Sequence, residues 1–515
     1  MTPRTVRPAG ERALLVECAD LEEVLGLHAV LTAAPLPGQV EVLPAARTLL
    51  LRAADRGARD RLVPLLRDLP AAADRRPEGD VVAIDTVYDG ADLTEVASLT
   101  AMSEQAVVAA HVGQVWTAAF GGFAPGFTYL VGEHADLQVP RRPSPRTAVP
   151  EGAVALAGTF SAVYPRRSPG GWQLLGRTAA PMWDLDRDPP ALLPPGARVR
   201  FRAVREVATT VAPTAPTPPS AAPGSPALHV LAAGTQSLVQ DLGRPGLLGQ
   251  GVSPSGAADR GSARQANRLV GNPREAAVVE TVLGGLALRA AGDHVLAVSG
   301  APAPLAVLRD GAPARTPPTD VPFALYDGEE LRVGEPAVGL RSYLAVRGGV
   351  TVPAVLGSRS TDVLSGTGPA PLAAGAVLPV GPPPGSAVGS PEPPRVAAAP
   401  GDVLDVPVAL GPRDGWVTPA SLERLLGQEW RVGARSNRVG LRLEGTALDR
   451  SEDAELPSEG TVAGAVQVPA DGLPVVFLAD HPVTGGYPVV AVVPDAALDT
   501  LAQARPGDRV RFRLA

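Results

Sequence analysis

The chain has 515 residues, enough for about three to four domains of ordinary size. Its 45% hydrophobic and 19% charged residues exclude a disordered protein, while 56 glycines and 57 prolines, about a fifth of the chain against an average near 12%, favour short strands and turns over long helices. All 46 basic residues are arginine: without lysine there is no Walker A phosphate loop, no biotinyl-lysine carrier, no Schiff-base enzyme and no amidase with a catalytic lysine, and a net charge of −7 disfavours nucleic acid and anionic membrane as partners.

Residues 12–88 read as a strand at 12–18, a helix at 21–33, two strands within 39–52, a helix at 59–69 and a strand at 81–88. That order predicts a small ferredoxin-like α+β unit at 1–90. Residues 92–112 read as two short helices broken at 100–103, with Ser103 as N-cap. The second has no arginine around 105–111, so the pair is not a DNA-reading helix-turn-helix. From 120 to 203 glycine and proline punctuate strand-like runs, which completes a β-rich domain at 91–205. Residues 206–227 are almost wholly Ala, Pro, Thr and Ser, a composition that cannot bury a core and predicts a linker. A further domain is placed at 228–381, a Pro/Gly-rich linker at 382–400 and a last domain at 401–515. A helix is expected over 260–270, with Ser255 near its N-cap, Asp259 in its first turn and Gly271 just past its end. Residues 436–443 alternate as a strand, with Ser436, Arg438, Gly440 and Arg442 on one face.

An internal repeat links the halves. Pro195-Gly196-Ala197-Arg198-Val199-Arg200-Phe201-Arg202 closes the first, and Pro506-Gly507-Asp508-Arg509-Val510-Arg511-Phe512-Arg513 closes the second. Upstream of each lies a Glu-Gly-x-Val step, at Glu151-Gly152 and Glu459-Gly460, and a glycine pair, at Gly170-Gly171 and Gly485-Gly486. The shared order predicts the same β-rich domain twice.

Several side chains could carry chemistry. Phe123, Phe127 and Tyr129 surround the Pro125-Gly126 turn, where glycine lets backbone amides approach a ligand beside an aromatic wall; a packed hairpin is the plainer reading. Arg142 in the pair 141–142, and Arg166-Arg167-Ser168 ahead of Gly170-Gly171, offer guanidinium forks beside amides as an anion cradle, or simply an exposed basic loop. Arg438 and Arg442 on one strand face would grip a multivalent anion or else sit in solvent. Glu280 interrupts the apolar run 276–283 and Gln467 another apolar strand, so each needs a partner. His481, flanked by Asp480 and the run Thr484-Gly485-Gly486-Tyr487, is the histidine best placed for general acid/base work, although a lone histidine is more often structural. The single cysteine, Cys18, excludes an intramolecular disulfide, and six scattered histidines predict no metal site. No run reaches the ~18 apolar residues of a membrane span, residues 1–10 lack an apolar signal segment, and a cytoplasmic protein is expected.

Residues 122–130 (GFAPGFTYL), Pro140-Arg141-Arg142 and residues 168–178 (SPGGWQLLGRT) resemble the family known as allophanate hydrolase subunit 1, which includes the B component of bacterial 5-oxoprolinase. Residues 240–246 (QDLGRPG), with Arg244, together with Ser255-Gly256-Ala257, residues 269–272 (LVGN), 343–349 (YLAVRGG) and 356–361 (LGSRST), with Arg359, resemble the subunit 2 family, which includes the C component of 5-oxoprolinase. Gln467-Val468-Pro469 and residues 484–488 (TGGYP) extend the match. The resemblance implies an α+β, mainly β fold, with a cyclophilin-like β-barrel in each half behind the small ferredoxin-like domain, and a fusion of the B and C components across 206–227. The same modules form the carboxyltransferase domain of urea carboxylase.

The activity so implied is that of a B/C component of ATP-dependent 5-oxoprolinase, opening 5-oxoproline to L-glutamate with the A component of the same enzyme, a separate polypeptide. His481, Arg438, Arg442, Gln467 and Glu280 are the expected catalytic groups. Arg244, Ser255, Asp259 and Arg359 join the aromatic turn, the loop of Arg142, Arg166, Arg167, Ser168, Gly170 and Gly171 and the run Thr484–Tyr487 as expected binding residues. ATP is expected as cofactor at an unassigned site, divalent-metal dependence and homo-oligomerisation stay open, and no biotin is attached to the chain itself. Two alternatives remain: a carboxyltransferase component served by biotin on another chain, and a kinase-binding regulator, since the two families also include a sporulation-kinase inhibitor and the antagonist of that inhibitor; a fixed inhibitor–antagonist pair would cancel itself, which argues against this last reading.

Overall fold

The computed structural model describes residues 3–72, 80–207, 224–396 and 401–515, except 135, 143, 145, 453 and 455. Most of the expected linker at 206–227 and residues 397–400 of the second lie outside these described residues. Seven helices are present among them: α1 (Leu21–Ala33), α2 (Arg56–Asp68), α3 (Leu93–Thr100), α4 (Glu104–Val112), α5 (Arg260–Leu269), α6 (Pro419–Gly427) and α7 (Asp495–Ala502). The rest of the regular structure is strand, apart from two short 3₁₀ turns, and no helix is long and apolar enough to cross a membrane.

The N-terminal unit is a four-stranded antiparallel sheet in the order Val6–Pro8, Ala13–Glu17, Thr48–Ala53, Gln39–Pro44. Asp20 and Asp55 cap α1 and α2 by accepting from the backbone of Glu23 and Ala58. Period-2 alternation then decides what each face covers. Leu14, Val16, Leu49 and Leu51 pack on α1 and α2, while Leu15, Leu43 and Leu50 point the other way, against Leu248 and Val483 of the second half. The continuous apolar run in Thr48–Ala53 is therefore a strand buried on both faces, worth about 1.5–3 kcal/mol per leucine side chain.

The strand Val81–Thr86 does not belong to this unit, contrary to the ferredoxin-like reading of 1–90. It pairs in parallel with Arg198–Ala203, and the N-terminal strand Val6–Pro8 takes the fourth place in the small sheet instead. The physical reason is closure. The seven-stranded sheet has Val81–Thr86 at one end and Gln173–Arg177 at the other, and reciprocal backbone bonds between Val87 and Arg177 (2.9 and 2.8 Å) join the two ends into a barrel.

The C-terminal domain is a closed barrel with the same strand order, built on the parallel pair Val403–Leu410 and Arg509–Leu514. The expected repeat is real, and the two PG-x-RVRFR segments are its equivalent parallel strands. One landmark of the repeat is corrected. Gly152 corresponds to Gly464, not Gly460: both have positive φ (+76° and +84°), and their carbonyls accept from the backbone N–H of residues just past equivalent strands, Thr178 in one barrel and Val493 in the other. Glu459-Gly460 lies in a two-stranded sheet with Thr484-Gly485, the counterpart of Arg146–Val149 paired with Ser168–Gly170.

Between the barrels stands a pair of packed antiparallel sheets formed from residues 227–379, with a core of Leu, Val and Ala. Helix α5 lies on one sheet and is capped by Asp259, which accepts from the backbone N–H and hydroxyl of Ser262. Ser255, expected near that cap, instead bonds Asp480 at 2.7 Å. Residues 382–396 run along α5 in extended contact: Gly389 donates to the Leu269 carbonyl, Gln265 to the Pro393 carbonyl, and Arg268 pairs with Glu392 at 2.6 Å.

Candidate active site at the seam between the halves

In the first barrel, the strands Trp116–Gly121 and Thr128–Gly132 are joined by the glycine-rich turn at 122–127. Phe123 is held there at φ +61°, a left-handed conformation costly for a bulky residue, and its N–H donates to Thr484 Oγ1 of the second barrel at 3.1 Å. A Cβ on Gly122 would lie 2.4 Å from the same hydroxyl, so only glycine admits this approach. Beneath the turn sits the 3₁₀ turn Leu248–Gln250, followed by Gly251, whose Cβ would lie 2.8 Å from the Ala124 carbonyl. The two halves thus meet backbone to backbone.

Behind the turn Phe120, Phe127, Tyr129, Phe160, Tyr164 and Trp172 pack edge-to-face and stacked, which fixes Tyr129 with its hydroxyl 3.2 Å from Ser458 Oγ. Arg141 reaches the same Ser458 hydroxyl at 3.4 Å, and its Nη1 lies 3.4 Å from where a Cβ of Gly486 would be. Gln467 donates to the Tyr487 carbonyl at 3.0 Å across Gly485, which answers the expectation that a glutamine in an apolar strand finds a partner. The Gln173 and Gln250 side-chain oxygens are buried without partners among the described residues on the two sides of the seam, unspent acceptors of the kind a bound ligand satisfies.

The structure thus brings together Phe123, Pro125, Gly126, Phe127, Tyr129, Gln467, Thr484, Gly485, Gly486 and Tyr487 from segments more than 300 residues apart in sequence. It reassigns the arginine pair. Arg142 is turned away onto Asp92 at 2.6 Å, which Arg146 also binds; burial opposes ionisation of Asp92, but Arg146, the Leu174 N–H and Arg142 outweigh it and lower its pKa. Arg141, the neighbour, faces the seam, because adjacent residues in an extended chain point to opposite sides. The strand Ser168–Gly170, with Gly171, stands beside it, tied through the Gly171 carbonyl to the Arg142 N–H at 2.7 Å. Arg166 packs against Gly366 of the second half, whereas Arg167 is exposed.

Arg438 and Arg442 do not share a face. The strand starts only at Gly440, Arg442 is exposed, and Arg438 lies in the preceding bend at 1% exposure. Its guanidinium pairs with Glu280 at 2.5 Å and Asp480 at 2.9 Å, and donates to the Gly256 carbonyl. Burial alone would lower the Arg438 pKa, but Asp480 and Glu280 outweigh it and raise it. Burial likewise opposes ionisation of Glu280, yet Arg438, Arg341 and the Ala258 N–H hold it below the usual range. This network, with Ser255 on Asp480 and Tyr343 on Glu280, bolts the central sheets to the second barrel. Asp259 and Arg359 are similarly occupied, and Arg244 is buried with its Nη1 unpartnered among the described residues.

His481 is buried, with its ring stacked on Phe477 and its Nδ1 2.9 Å from the Pro482 carbonyl. Burial pushes its pKa down to about 4, so it is neutral near pH 7, a hydrogen-bonding group rather than a charged acid. It faces a cavity beside the small N-terminal unit, not the seam. No group of three or more His, Cys, Asp or Glu side chains able to hold a metal ion occurs among the described residues. Sequence reading missed Ser458 and Gln250, and chose Arg142 over Arg141; neither a lone serine nor a lone glutamine carries a pattern.

Two barrels of one design around a shared seam define a class. Residues 4–193 match the carboxyltransferase domain, subdomains C and D, and residues 250–514 match subdomains A and B. The chain belongs to this carboxyltransferase-domain family. More particularly, it carries counterparts of two separate proteins. It is 40% identical over 171 residues to the B component of 5-oxoprolinase from Escherichia coli O157:H7, covering 32% of this chain and 78% of that one, and 36% identical over 295 residues to the C component of 5-oxoprolinase from E. coli K12, covering 55% and 90%. It is also 34% identical over 311 residues to urea amidolyase of Lachancea kluyveri, covering 56% of this chain and 17% of that one. Its fold matches the crystal structure of TTHA0988 with a TM-score of 0.85 at 36% identity, over 98% of this chain and all of the other.

Proposed function

We propose that this chain is the joined B/C component of an ATP-dependent 5-oxoprolinase, which opens 5-oxoproline to L-glutamate together with a separate A component. The observation that carries the reading is the single polypeptide with counterparts of both the B and the C components, meeting where the Phe123 N–H binds Thr484 Oγ1. A lactam carbonyl is a poor electrophile, and phosphorylating its oxygen at the expense of ATP makes attack by water feasible. The chain's part is then to hold phosphate charge and the tetrahedral oxyanion. Arg141 supplies the charge, the backbone at Gly170-Gly171 and Gly485-Gly486 approaches the ligand closely, and the aromatic wall excludes water. Removing one such donor typically costs about 10²–10³ in kcat.

The test is glutamate and ADP release from 5-oxoproline and ATP, with this chain, with the A component, and with both. Product only with both is the expected result; no turnover from a folded pair would falsify the reading. The match to urea amidolyase favours a second reading, carboxyl transfer from biotin borne on another protein. Recovery of a biotinylated carrier bound to this chain, with no glutamate release, selects it.

A further inference from the structure

Where the small N-terminal unit, the central sheets and the second barrel meet, there is a cavity of about 380 Å³ that shares no polar lining with the seam. Arg260 and Arg264, one turn apart on α5, line it together with Arg12 and Arg52 of the small unit. Two of these are spent: Arg52 pairs with Glu41 at 2.6 Å and Arg12 with Asp495 at 3.5 Å. The other two have no carboxylate partner for their guanidinium groups among the described residues. Arg260 donates to the Ser255 carbonyl at 3.2 Å, and Arg264 donates to nothing among the described residues, its Nε buried and unpartnered.

Like charges at i, i+4 repel, and here Arg260 is exposed while Arg264 is half-buried. Arg260 lines the cavity and is exposed, and partial desolvation lowers its pKa, with Arg264 and Arg52 adding to the fall against the attraction of Asp495 and Asp499. Of the acids on the wall, Asp499 is spent on the Arg260 and Gly261 N–H groups and on Arg395, Asp495 on Arg12, and Glu11 is exposed. His481, 3% exposed, completes the wall. With its Nδ1–H on the Pro482 carbonyl, its Nε2 is an acceptor that has no partner among the described residues.

We propose that this cavity binds a small multivalent oxyanion that also carries an O–H or N–H donor, with Arg260 and Arg264 taking its oxygens and His481 Nε2 accepting from its donor. Monohydrogen phosphate and an amino-dicarboxylate share that chemistry. The inference goes beyond the proposed reaction and does not depend on it, because binding is read without ATP or the A component.

Calorimetric titration of the full chain with inorganic phosphate and, separately, with L-glutamate distinguishes the two sources. One site per chain is expected for at least one of them. Arg264→Met should weaken it at least tenfold, Arg264→Lys less, and Arg202→Met, an exposed barrel-edge control, not at all. The anion-free Tm of Arg264→Met should equal or exceed that of the parent, since an unpaired charge has been removed. Binding of neither anion, binding unaffected by Arg264→Met, or an anion-free Tm that falls by several degrees would overturn the proposal.

Discussion

The two barrels share a strand order and even a tryptophan anchor: Trp116 Nε1 donates to the carbonyl of His111 at the end of α4, and Trp430 Nε1 to that of Leu425 in α6, each at 3.0 Å and five residues upstream. What fills them differs. The first holds a polar relay, with His111 between the Tyr88 hydroxyl at 2.7 Å and Ser161 Oγ at 2.9 Å, beside a nest of aromatic rings; the second holds Leu425 and a core rich in valine. The first barrel carries its charged anchor on its rim, at Asp92 with Arg142 and Arg146, while the second buries Arg438 against Glu280 and Asp480. One scaffold thus serves two tasks: the first barrel presents a rigid aromatic turn, and the second is fastened to the rest of the molecule.

That contrast can be broken from either side. The largest effect is expected at the fastening. Arg438→Met leaves two buried carboxylates without their cation, and should cost about 3–5 kcal/mol in urea unfolding, a loss that a merely solvated strand arginine would not show.

Next comes His111→Leu, which copies the second barrel's residue into the first. Burial pushes the His111 pKa from 6.5 down to about 3, so its stabilising contribution is present above pH 6.5 and is lost as pH falls through that range, about 3 kcal/mol by pH 4. Asp362 and Asp499, raised to about 6 by burial and by neighbouring Asp480 and Asp259, work in the opposite sense: their contribution is present below about pH 4 and is lost as pH rises through 6. The informative quantity is therefore the difference between parent and His111→Leu across pH 4–7. The variant should be less stable at pH 7 by about 1–3 kcal/mol, from the orphaned Tyr88 and Ser161 hydroxyls, and the gap should shrink or reverse toward pH 4. A gap independent of pH would mean that His111 is not held neutral.

The smallest effect is expected at Gly122→Ala. The new methyl displaces Thr484 and should cost on the order of 1–2 kcal/mol, of which Thr484→Ala recovers part in a double-mutant cycle. Additive single effects would show that the two loops do not touch.

Much of the fold was legible because its signals are local. Helix α1 and the Ser103 cap fall where periodicity and capping chemistry place them, and the matched PG-x-RVRFR ends announce the repeat. The strand Val81–Thr86 was misplaced because strand character is local but partnership is not, and its pairing with Arg198–Ala203 spans more than 100 residues. The site was legible at its glycines and aromatics, whose spacing reflects backbone needs. Its charges were not. Arg438 and Arg142 look like anion grips in sequence, but each is consumed by a carboxylate far along the chain, Glu280 and Asp92 respectively. Arg141 faces the seam only because its neighbour faces away.

The most direct test of the seam as the place of reaction is steady-state glutamate release by the Arg141→Met chain assembled with the A component. The predicted result is a kcat lowered about 10²–10³-fold with Tm within a few degrees of the parent. An unchanged kcat/KM in a folded complex would contradict it and move the reaction away from the seam.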